Sequence, residues 1–246
     1  MGPLYVSPDT GLVNGPLTQA CGLSTTRPGL ACGDYSVNTQ QPPFQPSGLF
    51  GAKLPPQTNP TIGDRLSGNG IDWAWYSGGW NDALAGNPDP LFQYHHQPFN
   101  YYAAFSTATP EGLANRAAHL RDEQEFIQLA QGSTSHCDLK PVSFIKPIGE
   151  ENEHPGYASE PGGSDHLVSL LRAIESSKCK ENTLVVVTYD EFGGQWDHVS
   201  PPGQGNNNGP HDEWGPGTRI PALVLGPYLQ GPSVVDHTQY DTTSIL

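Results

Sequence analysis

Leu184 to Thr188, within "NTLVVVTYDEFGGQWDHVSPP", are five consecutive apolar or β-branched positions with no polar alternation. A strand lying on a surface alternates apolar and polar positions, whereas an unbroken run fits a strand covered on both faces, as in parallel α/β sheets. The run ends abruptly in Asp190 and Glu191. In open α/β sheets ligands bind just beyond the carboxyl ends of the strands, so the two carboxylates fall where chemistry is expected.

Other segments give an alternation of helices and strands. "PTIGDRLSGNG" predicts a short helix closed by glycine, and "IDWAWYSGG" an aromatic strand. A helix is expected around Leu113 to Gln131, then the strand "VSFIKPIG". Leu167, Val168, Leu170, Leu171 and Ile174 share one helical face, with Ser164 or Asp165 as the cap. "RIPALVLGPYL" is a further apolar strand, and Asp241 and Thr242 begin a final helix. Residues 1–59 and 85–112 show no sustained period and are punctuated by Gly, Pro, Asn and Gln, which predicts long ordered loops. This order implies an α/β fold with a mainly parallel sheet and helices on both faces. The domain expectation is one unit over 1–246, its α/β part spanning 60–246 after an irregular segment 1–59.

Charge narrows the partners. Eleven Lys and Arg against 25 Asp and Glu give a net charge of -14, which repels nucleic acid and anionic membrane surfaces over most of the exterior. An anionic substrate would need a cation at its site. No stretch approaches the roughly 20 apolar residues of a membrane span, and residues 1–20 lack the order of a signal peptide. The four cysteines, Cys21, Cys32, Cys137 and Cys179, are spaced too irregularly for a zinc knuckle and allow three pairings. Cys137 with Cys179 is the expected bridge, because the helix ending near Lys178 should return the chain to the start of "VSFIKPIG". Cys21 with Cys32 would close a short loop. Disulfides favour an oxidising compartment, secreted or periplasmic; four buried free thiols are the alternative.

Candidate chemistry gathers in the loops after strands. Asp190 and Glu191 suit a divalent metal ion, with Gly193 and Gly194 letting the backbone turn sharply. His95 and His96 in "LFQYHHQPFNYY", His154 in "GEENEHPGYAS", His198 and His237 lie in loops that the topology should bring towards the same sheet edge. Imidazoles there could hydrogen-bond a phosphoryl oxygen or a leaving group. The competing structural readings are histidines packed among Tyr94, Phe99 and Tyr101, and solvated acidic turns. No G-x-S-x-G elbow occurs, and nothing marks Ser24, Thr25 or Thr26 as activated nucleophiles. Asp190, Glu191 and Asp197 stand too close together in sequence to suit a glycosidase pair, whose carboxylates flank the bond at about 5–10 Å.

"TLVVVTYDEFGGQWDHVSPP", "VSFIKPIGEENEHPGYAS", "PTIGDRLSGNGIDWAWYSGGW" and "LFQYHHQPFNYY", over about residues 56–246, resemble the phosphoesterase family of bacterial and fungal acid phosphatases and non-specific phospholipases C. The resemblance implies an alkaline-phosphatase-like fold and metal-dependent hydrolysis of a small-molecule phosphoester or phospholipid through a phosphorylated Ser or Thr. It implies that Asp190 and Glu191 bind the metal and that His95, His96 and His154 surround the phosphoryl group, with Asp197 and His198 completing the motif. The family's N-terminal Glu-Asn ligand pair and its nucleophile segment are not visible, so the chain reads as a fragment. A non-catalytic, secreted acidic module that binds a metal or ligand is the alternative function.

Overall fold

The structure is a computed structural model that describes residues 41–46, 53–209, 216–229 and 233–245. The Cys21–Cys32 pairing, Ser24, Thr25, Thr26 and most of the irregular segment 1–59 lie outside the described residues.

Five strands and five α-helices carry the architecture. They are α1 (Ile62–Gly68), β1 (Trp73–Ser77), α2 (Trp80–Leu84), α3 (Pro110–His119), β2 (Leu120–Asp122), α4 (Glu123–Gly132), β3 (Val142–Lys146), α5 (Glu160–Glu175), β4 (Val185–Thr188) and β5 (Ala222–Leu225). A parallel sheet of order β2-β1-β3 forms the centre. Because side chains alternate across a strand, Trp73 and Trp75 enter one core while Ala74 and Tyr76 enter the other. The first core holds Trp80, Phe92, Tyr94, Phe99, Phe105 and Leu120, and the second Phe126, Leu170, Ile174 and Cys179. Helices therefore cover both faces, and the α/β expectation holds.

The register decides where polar groups emerge. Ser77 stands opposite Asp122 on β2 and Lys146 on β3, so all three reach the carboxyl edge of the sheet in one row. Asp122 caps α4 by accepting from Gln124 N–H, and its other oxygen accepts from Asn81 N–H at the start of α2. These bonds fasten two elements to that edge.

Three expectations about the helices and strands up to β5 need correction. The single helix over 113–131 is two helices, α3 and α4, separated by β2. Asp122 followed by Glu123 and Glu125 is a helix start, and it lets Leu120 leave the helix to pair with Trp75. Next, the cap of α5 stands at least five residues earlier than expected, with the hydroxyl of Ser159 accepting from Gly162 N–H. Lastly, β4 is neither parallel nor covered on both faces. It pairs antiparallel with β5 as a separate two-stranded sheet; Val185 packs on the second core while Val186 is 40% exposed. A continuous apolar run records the absence of polar side chains, not the direction of the neighbouring strand.

The expected bridge between Cys137 and Cys179 is present, with Cα atoms 4.6 Å apart and Cys179 fully buried in the second core. The expected last helix is a 3₁₀ turn, Thr242–Ile245. Among the described residues no helix is long and apolar enough to cross a membrane.

Candidate functional site

The carboxyl edge of β1 and β3 is roofed by the 3₁₀ turn Tyr94–His96. Two donors from β1 hold that turn: Trp75 Nε1–H and the Ser77 hydroxyl both donate to the carbonyl of His96, at 2.7 and 3.0 Å. The two imidazoles lie 4.7 Å apart, centre to centre, and nearly perpendicular. Beneath them the chain leaves β1 through Gly78, whose amide donates to Lys146 O at 3.0 Å. A Cβ at Gly78 would fall 2.4 Å from the backbone nitrogen of Ile148. Glycine is required there because β3 and the β1–α2 turn touch backbone to backbone.

Lys146, the last residue of β3, supplies the cation. Its ammonium donates to Asp190 Oδ2 at 2.8 Å, with Lys146 largely covered and Asp190 open to solvent. Partial desolvation raises the Asp190 carboxyl, and the Lys146 charge and hydrogen bond outweigh it, so the group stays below the usual carboxylate range. Burial lowers both imidazoles, and the neighbouring Lys146 ammonium lowers them further; His96 falls to about 3. Near neutral pH His96 is therefore uncharged. It offers one N–H donor and one acceptor nitrogen rather than a second cation.

That shift has a sign that can be measured. Folded His96 takes a proton only near pH 3, whereas its ordinary value is 6.5, so between those values the unfolded chain binds the additional proton. Stability contributed here is intact above pH 6.5 and falls as pH drops towards 3. Urea unfolding of His96→Asn across pH 4–7 is expected to show a shallower decline than the natural chain. Equal slopes would mean that His96 is not buried neutral.

The structure brings together His95, His96 and Asp190 from the sequence-predicted set. His154 is close enough for its charge to act on His95, although its ring is exposed and stacks on Tyr157 at 4.4 Å. Glu191 turns away into its own loop, where Oε2 accepts from Gly193 N–H at 2.6 Å. Gly193 and Gly194 adopt the left-handed conformations, φ 63° and 70°, that the sharp turn needs. His198 is 75% exposed and lies 3.5 Å from Asp197, whose carboxylate is held by two bonds from Arg219 at 2.7 and 2.8 Å. That pair ties the loop after β4 to the segment before β5. His237 neighbours Asp236, outside the group around Lys146.

Lys146 was not singled out from sequence. The signal was available: in a chain with eleven basic residues, a lysine at the carboxyl end of an apolar strand stands out. Also missed was a triad of one histidine and two carboxylates. His166 Nε2 faces Glu123 Oε1 at 3.0 Å and its Nδ1 faces Glu151 Oε2 at 3.2 Å, with His166 and Glu123 almost fully covered. Burial lowers this imidazole, but the Glu123 bond and both carboxylate charges outweigh it and raise it overall.

A metal ion finds only part of its ligands at Asp190. One Asp190 oxygen is taken by Lys146 and one Glu191 oxygen by Gly193. Among the described residues, the His, Cys, Asp and Glu groups close enough to share an ion are Glu123, Glu151 and His166, within 4.8 Å of one another. A divalent ion takes four to eight ligands. The Asp190–Glu191 pair does not by itself meet that count, and in the triad both ring nitrogens already face a carboxylate.

The sequence profile of the Phosphoesterase family matches residues 35–246. The chain belongs to the phosphoesterase family. This phosphoesterase is 32% identical to phospholipase C A of Mycobacterium tuberculosis over 128 residues, covering 44% of the chain and 24% of that protein. It is 31% identical over 117 residues to non-specific phospholipase C6 of Arabidopsis thaliana, covering 43% of the chain and 22% of that protein. Non-hemolytic phospholipase C of Burkholderia pseudomallei is 26% identical over 204 residues, 73% of the chain and 28% of that protein. The matches with the phosphoesterase thus span about a quarter of each relative's length.

Proposed function

We propose that the edge formed by Lys146, His95, His96 and Asp190 binds the phosphoryl group of a small phosphoester or phospholipid head group and takes part in its hydrolysis. The observation that carries this reading is Lys146: a mostly covered ammonium beside two imidazoles, in a protein whose net charge is -14. Such a group offsets the field of the whole chain at one place, and its charge-assisted bonds to a phosphoryl oxygen are stronger than neutral ones. The imidazole of His95 beside it can donate a hydrogen bond to a remaining oxygen or to the leaving group, whereas the ring of His96 already bonds the Pro147 backbone. The family membership and the relatives named phospholipase C support phosphoester chemistry.

The covalent step needs a hydroxyl that attacks phosphorus, and the hydroxyls of the described strand ends are otherwise engaged. Ser77 donates to His96 O, and Thr188 bonds Tyr189 O and Pro221 O. A metal ion in the family's manner would require ligands in addition to Asp190 and Glu191; among the described residues at this edge, Lys146 is placed to stabilise charge. The disulfide and the acidic surface support a secreted or periplasmic location.

Two measurements on the purified 246-residue protein test the proposal. Binding of inorganic phosphate and orthovanadate is expected to move the NMR resonances of His95 and His96. Hydrolysis of an aryl phosphate and an aryl phosphocholine, with and without added Mg²⁺, Ca²⁺ or Zn²⁺, is expected to be several orders of magnitude below that of a complete site, as when a nucleophile is removed. Absence of anion binding, or imidazole resonances that do not respond, would reject the phosphoryl reading. Robust turnover abolished by Asp190→Asn would place a nucleophile within these 246 residues, with Ser24, Thr25 and Thr26 the first to replace.

A further inference from the structure

The loop that follows β3 contains the one residue other than glycine, among those described, with a left-handed backbone. Glu153 has φ 62°, a conformation costing on the order of 1 kcal/mol or more for a residue with a Cβ. Its side chain makes three contacts that explain why the strain is kept. The carboxylate accepts from the Tyr189 hydroxyl through Oε2 and from the Ser164 hydroxyl through Oε1, the latter at 3.1 Å. Its Cγ also lies against Gly163 in the first turn of α5, so closely that a Cβ on that glycine would stand 2.1 Å away.

Each partner leads to the site. Tyr189 immediately precedes Asp190, which Lys146 holds. Glu153 itself immediately precedes His154, whose charge reaches His95. Behind the loop, Glu151 is fixed to α5 by His166, which is anchored in turn to Glu123 at the start of α4. The loop after β3 and the strand end of β4 are not joined by a β-ladder, since β3 and β4 belong to separate sheets. Side chains must set their relative position.

We infer that Glu153 is a positioning residue: by holding Tyr189 and bracing on α5 at Gly163 and Ser164, it fixes Asp190 and His154 in one arrangement across two sheets that share no backbone pairing. The consequence for phosphoryl binding rests on the reading proposed above, whereas the coupling of the two segments does not.

Three substitutions separate positioning from its alternatives. Glu153→Gln removes a negative charge close to an anion site, so a residue acting only through its charge would bind orthovanadate more tightly when neutralised. The expected result is the reverse, about tenfold weaker binding with an unchanged thermal midpoint. Tyr189→Phe should weaken binding to a similar degree, and the double variant no further, since both substitutions break one link. Gly163→Ala places a better helix former in α5 but drives Glu153 from its seat. It too should weaken binding, although a purely structural role for Gly163 predicts no loss.

Hydrogen–deuterium exchange provides a readout independent of function. Glu153→Gln and Tyr189→Phe should each accelerate exchange in both the 150–158 and the 189–195 segments. Acceleration confined to the segment carrying the substitution, or vanadate binding that is equal or tighter in Glu153→Gln, would overturn the inference. Should the natural chain bind no vanadate, the phosphoryl reading fails, and the exchange of the two segments still decides whether Glu153 couples them.

Discussion

Lys146→Met is expected to weaken orthovanadate or phosphate binding by about 100-fold while leaving the fold nearly as stable as before. The binding loss has two parts. A charge-assisted bond to the anion disappears, worth roughly 1.5–3 kcal/mol, and Asp190 is left as an uncompensated carboxylate facing the same anion. Together they approach the ~2.8 kcal/mol that corresponds to two orders of magnitude in affinity. The stability change is small because Asp190 is 68% exposed, and an ion pair with one solvated partner contributes about 0–1 kcal/mol. Calorimetric titration alongside urea unfolding checks both halves. Binding that survives Lys146→Met would move the anion elsewhere on the surface, whereas a large loss of stability would make Lys146 a structural group instead. Lys146→Arg should recover part of the affinity, since it keeps the charge but changes the geometry of the donors.

Removing the Cys137–Cys179 bridge is expected to have the largest effect on stability. The two cysteines are 42 positions apart, and closing a loop of that length in the unfolded chain contributes about 4 kcal/mol on the chain-entropy account. The bridge joins the segment before β3 to the end of the α5 connection and sits against Phe126, Leu170 and Ile174. Cys137→Ser with Cys179→Ser should therefore lower the unfolding free energy by about 2–5 kcal/mol, read from denaturation under otherwise equal conditions. A loss below about 1 kcal/mol would show that the second core alone holds these segments. The same experiment bears on location, since a protein that depends on this bridge to stay folded is suited to an oxidising compartment.

The candidate site was partly legible before any coordinates. His95, His96 and Asp190 lie near Lys146, and Gly193 and Gly194 make the sharp turn that two adjacent glycines suggest. Strand-to-loop transitions are local events, and a change from apolar to polar residues marks them directly. Side chains that emerge in the same loop are a different matter. Asp197 and His198 follow Asp190 within eight residues, yet the Arg219 bond draws Asp197 away and leaves His198 exposed. Sequence proximity says nothing about the direction a loop takes after two left-handed glycines.

By itself the sequence determined the α/β class, the aromatic strand β1 and the amphipathic α5, and it made Cys137–Cys179 the expected pairing among three. Each follows from a period, a cap or a chain reversal within a few tens of residues. Only the tertiary structure decided that β4 runs antiparallel to β5, that Leu120–Asp122 leaves the helix to pair with β1, and that Glu153 links Ser164 to Tyr189. Pairing direction depends on how the connecting chain returns to the neighbouring edge, and apolar side chains do not encode it. The link through Glu153 spans 36 residues to Tyr189 and is held by a strained backbone. A left-handed Glu is locally unfavourable, so no propensity could predict it; contacts with α5 and the end of β4 offset that cost only after those elements have come together.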